Sequence, residues 1–332
     1  MSETPTSRRF ALQALLALGG LCSRSLFAEP NIGARVPGSP EDIAAGLAEP
    51  EPLFAAPTRL DRIGRVMAEV MVNGKGPFRF VIDTGASRST LAPHLAKSLG
   101  LTRAGRNVML NGVTGVAEVP TVVVDTLDIG ALQFKNQHLP VIFTSIMGNA
   151  DGILGVAGFD DQRIDVDFKR DRVTVLPSNG RRPHYSLVTT RVERNENGLM
   201  IFDVRIGRRI KAKAVLDTGA ERTLGNLALQ QALNRGRKNR EPVSAVVHGA
   251  TPDIADGDVQ EIKQANIGDM TLTNLEVIFA DFHVFKLWGL DQQPAMLIGM
   301  DMIGVLERLV IDYRRNEVSM YGDRASSRLV AR

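Results

Sequence analysis

Cysteine is almost absent from this chain, and aromatic residues are few. The 332 residues include one cysteine, Cys22, and one tryptophan, and aromatic side chains make up 5% of the total. A single cysteine can form no internal disulfide and no thiolate zinc site, and Cys22 lies in a leader that we expect to be removed. These shortages exclude a disulfide-stapled scaffold and, in the mature chain, a cysteine nucleophile.

Neither sign of charge dominates the composition. The chain has 40 Lys and Arg residues against 37 Asp and Glu residues, a formal net charge of +3. So small an excess gives no reason to expect a nucleic-acid partner. Hydrophobic residues at 44% and charged residues at 23% are typical of a soluble globular protein. The length is sufficient for two domains, each with its own core.

Motifs for metals and nucleotides are also missing. The histidines show no paired metal spacing and no HExxH motif, and GILGVAG at residues 152–158 lacks the GxGxxG spacing of a nucleotide loop. We therefore expect no metal ion and no cofactor. Trp288 is predicted to fill a hydrophobic gap rather than to line a cleft. The five histidines are His94, His138, His184, His248 and His283.

An apolar run near the N-terminus is too short to span a bilayer. It covers residues 10–21 and follows Arg8 and Arg9, which is the pattern of an export signal. We predict a signal peptide at residues 1–28, and the two arginines suggest twin-arginine export. The mature chain would then have no stable membrane span, and we expect it in an exported location such as the bacterial periplasm.

The remaining chain divides by composition and pattern. Residues 29–58 are rich in Pro, Ala, Gly and Glu without a sustained period, which indicates a linker or a pro-segment. From residue 59 the pattern is strand-like and repeats internally. The repeat predicts a first lobe at residues 59–180, a second lobe at residues 181–325 and a tail at residues 326–332.

The strongest signal is a duplicated four-residue sequence. FVIDTGASRSTL at residues 80–91 and AVLDTGAERTLG at residues 214–225 share Asp-Thr-Gly-Ala, each time after an apolar run that predicts a buried strand. One such tetrapeptide could arise by chance, but two in equivalent contexts indicate a duplication. The shared residues are Asp83, Thr84, Gly85 and Ala86 in the first lobe, and Asp217, Thr218, Gly219 and Ala220 in the second.

The duplication extends beyond these turns. A β-hairpin pattern precedes each one, and a short helical pattern follows it. An apolar-apolar-Gly sequence then appears 72 residues after Asp83, at Gly155, and 82 residues after Asp217, at Gly299. We assign both glycines structural roles. After each of them we expect a short helix and then a hairpin, and the second lobe should carry the longer loop.

The chemistry of two carboxylates explains the repeat. An ionised carboxylate at the end of an apolar strand loses its hydration unless it is paired, so Asp83 and Asp217 should meet. Two carboxylates roughly 3 Å apart cannot both ionise, and the pair holds one proton near neutral pH. One can accept a proton from water while the other protonates a substrate carbonyl, which suits peptide hydrolysis. If each Asp only begins a turn, the duplication would be purely structural.

These features resemble the aspartic proteases of the pepsin and retropepsin superfamily, from about residue 60 to 325. Two lobes in one chain are similar to pepsin, whereas Asp-Thr-Gly-Ala in each lobe is similar to the retropepsins, a combination that resembles exported bacterial retropepsin-like proteases. The resemblance implies an all-β, two-lobed acid-protease fold with a pseudo-twofold axis and short helices. It also implies an aspartic endopeptidase in which Thr84 and Thr218 hydrogen-bond across to the opposite lobe. Gly85 and Gly219 would allow the sharp turns, with Ala86 and Ala220 completing them.

The resemblance further implies a pair of flaps over the catalytic residues. A protein or peptide substrate would lie extended between the lobes and pair its backbone with these flaps. Because both aspartates belong to one chain, we expect an active monomer. Residues 110–117 and 246–256 are the candidate flaps, and their named members are Asn111, Gly112, Gly115, His248 and Gly249.

Two departures from the family pattern stand out. Neither candidate flap contains the tyrosine that pepsins place there, so flap closure must rely on backbone groups. Retropepsins also tend to have an acidic residue two positions after the glycine, which Glu221 matches and Ser87 does not. A catalytically silent peptide-binding module on the same scaffold is the alternative function, although such a module would usually have lost one aspartate.

Overall fold

A computed structural model describes residues 54–57, 65–142, 147–170, 172–180, 188–235, 241–322 and 328–330, which belong to one structural unit, Pro50–Arg332. The predicted signal peptide and residues 29–53 of the predicted linker lie outside the described residues. Within residues 54–180 the chain forms ten described strands and one helix. These are β1 (Phe54–Pro57), β2 (Met67–Val72), β3 (Lys75–Ile82), β4 (Thr90–Leu91), α1 (Pro93–Ser98), β5 (Arg103–Asn111), β6 (Val116–Ile129), β7 (Leu132–Pro140), β8 (Gly152–Leu154), β9 (Gln162–Asp167) and β10 (Arg172–Pro177).

The second half of the described chain also consists mainly of strands with a few short helices. From residue 188 onward the described chain forms twelve strands and three helices. These are β11 (Val188–Arg191), β12 (Glu193–Arg194), β13 (Met200–Ile206), β14 (Ile210–Leu216), β15 (Leu224–Gly225), α2 (Leu227–Asn234), β16 (Ser244–His248), β17 (Ile254–Ile267), β18 (Met270–Phe279), α3 (His283–Leu287), β19 (Ala295–Ile298), α4 (Met300–Ile303), β20 (Arg308–Asp312), β21 (Glu317–Tyr321) and β22 (Arg328–Val330).

Each lobe contains its own sheet, and the two sheets have equivalent centres. The first sheet runs β4-β8-β3-β2-β6-β5 with β7 beside β6, and the second runs β12-β13-β14-β19-β15-β18-β17-β16 with β22 beside β18. In the first, β3 pairs in parallel with β8, and in the second β14 pairs in parallel with β19. The predicted all-β, two-lobed fold with short helices is confirmed.

Local sequence explains the strand that leads to Asp83. The hairpin between β2 and β3 turns at Asn73 and Gly74, whose φ angles of 50° and 71° are typical of a two-residue hairpin turn. At the end of β3, Phe80, Val81 and Ile82 are all buried. Consecutive burial is expected here because both faces of the strand are covered.

A third sheet joins the two lobes. Its order is β1-β10-β9-β20-β21-β11, so that hairpins from both lobes lie side by side. At the junction β9 pairs antiparallel with β20, Ile164 opposite Ile311 and Val166 opposite Leu309, and all four side chains are buried in one core. β1 lies within the range predicted to be a linker or pro-segment, and β22 lies within the predicted tail.

One predicted element is wrong. The expected helix after Gly299 is present as α4, but the chain after Gly155 forms turns and no helix before β9. Gly158 explains the difference, because its φ of 90° interrupts helical geometry three residues after Gly155. The hairpins that follow, β9 with β10 and β20 with β21, are both present as expected.

The shared sheet predicts cooperative unfolding of both lobes. Leu309 in β20 is fully buried, so Leu309→Ala should lower the free energy of unfolding by about 2 to 5 kcal/mol. Urea denaturation should show one transition, because strands of both lobes depend on this position. Leu227→Ala is the control, since Leu227 is 40% exposed and its loss should change stability by no more than about 0.5 kcal/mol. Two separate transitions would contradict the expectation.

Candidate active site

Two equivalent strands deliver the aspartates. Asp83 follows β3 and Asp217 follows β14. The N–H of Asp83 donates to the carbonyl of Leu154 on β8 at 3.0 Å, and the N–H of Asp217 donates to the carbonyl of Ile298 on β19 at 3.0 Å. Each aspartate is therefore held by the parallel strand next to its own, and the two supports are the same.

The two Asp-Thr-Gly turns face each other where the two lobes meet. The carboxyl groups of Asp83 and Asp217 hydrogen-bond to one another. A Cβ atom added at Gly85 would overlap the Asp217 carboxyl group, and one added at Gly219 would overlap that of Asp83. Glycine is required at both positions because the facing carboxyl group occupies the space of a side chain.

Two buried threonines tie the turns together. The hydroxyl of Thr84 donates to the carbonyl of Leu216 at 2.8 Å and accepts from the N–H of Thr218 at 3.1 Å. In the mirrored arrangement the hydroxyl of Thr218 donates to the carbonyl of Ile82 at 2.7 Å and accepts from the N–H of Thr84 at 3.2 Å. These four bonds cross between the lobes, so each lobe satisfies buried backbone groups of the other.

The environment favours a single proton on the pair. Burial raises the pKa of Asp217 well above its usual value, and the charge of Asp83 and the hydrogen bond with it raise this pKa further. Burial also raises the pKa of Asp83, but its hydrogen bonds with Asp217 and the Gly85 N–H and the nearby Arg65 guanidinium oppose part of that rise. Burial raises both pKa values, so the pair holds a single proton over the pH range in which an isolated carboxyl group would have lost it.

Backbone donors orient both carboxyl groups. Oδ1 of Asp83 accepts from the N–H of Gly85 at 2.8 Å. Oδ1 of Asp217 accepts from the N–H groups of Gly219 at 2.8 Å and Ala220 at 3.0 Å. These backbone bonds fix the direction in which each carboxyl group points.

The two structural glycines support the turns from behind. A Cβ atom at Gly155 would lie 2.5 Å from the carbonyl carbon of Arg88, and one at Gly299 would lie 2.7 Å from that of Arg222. Their N–H groups donate, each at 3.1 Å, to the hydroxyls of Ser89 and Thr223 respectively. Both glycines thus allow the chain to pack directly against the segment that follows the Asp-Thr-Gly turn.

A cleft of about 950 Å³ lies between the aspartates and the hairpin tips of both lobes. Of the predicted flap residues, Asn111, Gly112, His248 and Gly249 line this cleft. Gly115 instead closes the first tip, where its carbonyl accepts from the N–H of Gly112 at 2.8 Å.

The two tips touch. The hydroxyl groups of Thr114 and Thr251 are 3.3 Å apart, and a Cβ atom at Gly112 would lie 3.0 Å from the Thr251 side chain. A Cβ atom at Gly249 would come within 2.6 Å of the Thr114 hydroxyl. Close approach of the tips therefore explains why glycine is placed in both of them.

Helix α3 holds the first flap to the second lobe, a feature that the sequence analysis did not predict. Nε2 of His283 is 3.1 Å from Oδ1 of Asn111, and the N–H of Val284 donates to the carbonyl of Val113 at 3.4 Å. Trp288 follows this helix, contacts Phe285 edge to face with ring centroids 6.0 Å apart, and lines the cleft. The prediction that Trp288 only fills a gap was therefore wrong. The longer loop of the second lobe was the sequence feature that could have indicated this additional helix.

The histidines of the described chain have different surroundings and do not form a cluster. His94 pairs with Asp151 at 2.8 Å, His283 contacts Asn111, His248 lines the cleft, and His138 lies exposed on β7. His184 is outside the described residues. Within the described part of the chain, no group of three or more His, Cys, Asp or Glu side chains is arranged to hold a metal ion.

Comparison with known protein families gives a specific match. The model of a family described as aspartyl protease matches residues 68–157 and 202–302, together more than half of the chain. Each matched region contains one Asp-Thr-Gly-Ala turn and the structural glycine that supports it. No curated protein matches the chain.

The threonine bonds predict a large difference between two similar substitutions. Thr84→Val keeps the side-chain shape but leaves the Thr218 N–H and the Leu216 carbonyl without partners, so the free energy of unfolding should fall by about 2 to 5 kcal/mol. Thr84→Ser keeps the hydroxyl and should lose about 1 kcal/mol. Urea denaturation of both variants measures the difference. Equal losses would show that the hydroxyl contributes nothing.

The raised pKa of Asp217 predicts a pH-dependent stability change. A carboxyl group whose pKa is higher in the folded state than in the unfolded state, where it is about 3.9, loses stability as the pH rises through its folded pKa. Asp217→Asn removes this loss, so its melting temperature should exceed that of the wild type at pH 7. The difference should shrink as the pH is lowered toward 4, because the unfolded carboxyl group then also holds its proton and the penalty disappears.

Asp281→Asn is the control for this experiment. Asp281 is exposed and pairs with Lys286 at the surface, so its replacement should shift the melting temperature little at either pH. An Asp217→Asn protein that is no more stable than wild type at pH 7 would contradict the charge repulsion described above.

Proposed function

Because the chain belongs to the retropepsin-like aspartyl protease family, we propose that it is an aspartic endopeptidase whose catalytic residues are Asp83 and Asp217. The observation that carries the proposal is the hydrogen-bonded pair of carboxyl groups beneath two flaps. Both aspartates and both adjoining glycines are intact, which gives no support to a silent peptide-binding module. The reaction class is hydrolysis of an amide bond without a covalent intermediate.

The proposed mechanism uses one proton and one water molecule. In this scheme the ionised carboxylate, assigned to Asp83, accepts a proton from the water as the water oxygen attacks the scissile carbonyl carbon, while Asp217 donates the shared proton to the carbonyl oxygen. A neutral tetrahedral gem-diol results. Asp83 then protonates the leaving nitrogen, and Asp217 takes a proton back as the C–N bond breaks and the carbonyl re-forms. The pair thus returns to its starting state with one proton.

The cleft supports an extended peptide substrate. Apolar residues from both lobes line it near the aspartates, including Ile153 and Leu297 at equivalent positions before Gly155 and Gly299. Glycines in both flap tips allow a backbone to approach closely. A peptide strand placed between the aspartates and the flaps could hydrogen-bond to flap backbone groups, as in strand addition. The missing flap tyrosine is consistent with reliance on such backbone contacts.

The proposal includes export from the cytoplasm, which rests on the leader pattern at residues 1–28. In the part of the chain that the structure describes, no helix is both long enough and apolar enough to cross a bilayer. Sequencing the N-terminus of the protein recovered from its native compartment would test both export and removal of the leader. Recovery of an intact N-terminus in the cytoplasm would contradict the proposal.

Neutral amide variants of the pair test the reaction. Asp83→Asn and Asp217→Asn should each lower the rate of peptide hydrolysis by roughly 10² to 10⁴-fold, because each removes one proton-transfer group. The measurement is mass spectrometry of a peptide mixture incubated with each protein. Asp281→Asn, at the surface and outside the cleft, is the matched control and should retain activity. Near wild-type turnover by either folded variant would overturn the mechanism, and wild-type binding without cleavage would favour the silent module.

A monomer should be sufficient for activity. Both aspartates and all four threonine bonds lie within one chain, so no assembly step is needed to form the site. Specific activity should stay constant over about a thousandfold dilution, in contrast to an enzyme whose site forms only in a dimer. Sedimentation at the same concentrations gives the molecular mass. Activity that falls as a dimer dissociates would contradict this expectation.

A further inference from the structure

Two arginines occupy equivalent positions on either side of the catalytic pair. Arg88 and Arg222 each lie five residues after a catalytic aspartate, and both line the cleft. Because the lobes are related by a pseudo-twofold axis, one arginine faces each half of an extended substrate. Such a pair could bind acidic side chains on both sides of the scissile bond, but only if both cations are available.

The two arginines have different surroundings. Nη2 of Arg222 donates to Glu276 at 2.9 Å, and its Nε lies 3.7 Å from the largely buried carboxylate of Asp301. Arg88 is exposed and forms no ion pair with any residue in the described part of the chain. The charge of Arg222 is therefore compensated within its own lobe, whereas that of Arg88 is available to a substrate.

Neighbouring residues increase this asymmetry. Glu221 precedes Arg222 and lines the cleft, whereas the equivalent residue before Arg88 is the neutral Ser87. In the first lobe Arg79 also lines the cleft, and of the residues that the structure describes Asp83 is the one carboxylate that this lobe contributes to the lining. Nε of Arg79 is buried and has no hydrogen-bond partner among the described residues. The first-lobe side of the cleft thus carries an excess of positive charge.

We propose that Arg88 makes this cleft selective for peptides with an acidic side chain on one side of the scissile bond. The inference rests on the proposed endopeptidase function and adds a substrate class to it. The guanidinium presents several N–H donors in a plane that matches a carboxylate, and a bound peptide would displace water from between them. On the other side of the bond, Glu221 and the compensated Arg222 offer no equivalent attraction.

The first experiment determines the cleavage profile. A mixture of peptides of known sequence is incubated with the wild-type protein, and the cleaved bonds are identified by mass spectrometry. Glu and Asp should be enriched on one side of the cleaved bonds and not on the other. If no peptide is cleaved, the proposed function itself fails. If peptides are cleaved without one-sided acidic enrichment, only this inference is overturned.

The second experiment assigns the preference to a residue. From the profile, two peptides are made that differ only by Glu or Gln at the enriched position. The wild-type kcat/KM should be roughly fivefold higher for the Glu peptide, the ratio expected for a partly exposed ion pair. In Arg88→Gln this ratio should fall to about one, in Arg88→Lys it should be partly restored, and in the matched control Arg222→Gln it should persist.

Salt provides a readout that needs no variant. Raising the ionic strength to about 1 M shortens the screening length to about 3 Å, so the Glu-to-Gln ratio of the wild type should fall toward one. Thermal melting verifies that each variant is folded. A ratio that persists in folded Arg88→Gln, or that is unchanged by salt, would overturn the assignment to Arg88.

Discussion

The structure depends on burying two carboxyl groups against each other. Either one alone would be an uncompensated charge at the end of an apolar strand, but together they need only share a proton. To keep the two carboxyl groups in contact, other groups must hold both turns in place. The crossed bonds of Thr84 and Thr218 do this, and the space that Gly85 and Gly219 leave empty is the space that the opposite carboxyl group fills.

The rest of the architecture keeps those turns in register. The parallel strands β8 and β19 accept the backbone N–H of each aspartate, and the glycines at their ends pack on the segments behind the turns. The pairing of β9 with β20 joins strands of both lobes into one sheet, and the buried side chains of these strands belong to one core. A displacement of one lobe would have to break the shared sheet as well as the threonine bonds. The two aspartates are therefore held in place by two independent sets of contacts.

The central site was predictable from sequence because it consists of local motifs. Apolar strands, Asp-Thr-Gly-Ala turns and the trailing Gly155 and Gly299 are recognisable within a few residues, and duplication doubles each signal. What was missed depends on contacts between distant residues. Helix α3 bonds to Asn111, which is 172 residues away, and Arg222 meets Glu276, which is 54 residues away. The helix expected after Gly155 is absent because Gly158, with its positive φ, interrupts helical geometry at a position where the repeat alone predicted a helix.

Placing both lobes in one chain frees each half to change separately. In an enzyme built from two identical chains, any substitution appears on both sides of the axis, so the cleft must remain symmetric. Here the strands β9 and β20 pair without being identical, and the neutral Ser87 occupies the position that is equivalent to the acidic Glu221 in the other lobe. In the proposed protease, a single codon change would therefore alter the contacts to one half of a bound peptide and leave the contacts to the other half intact. Because the shared sheet holds two non-identical lobes together, the two halves of this cleft can differ from each other in charge and shape.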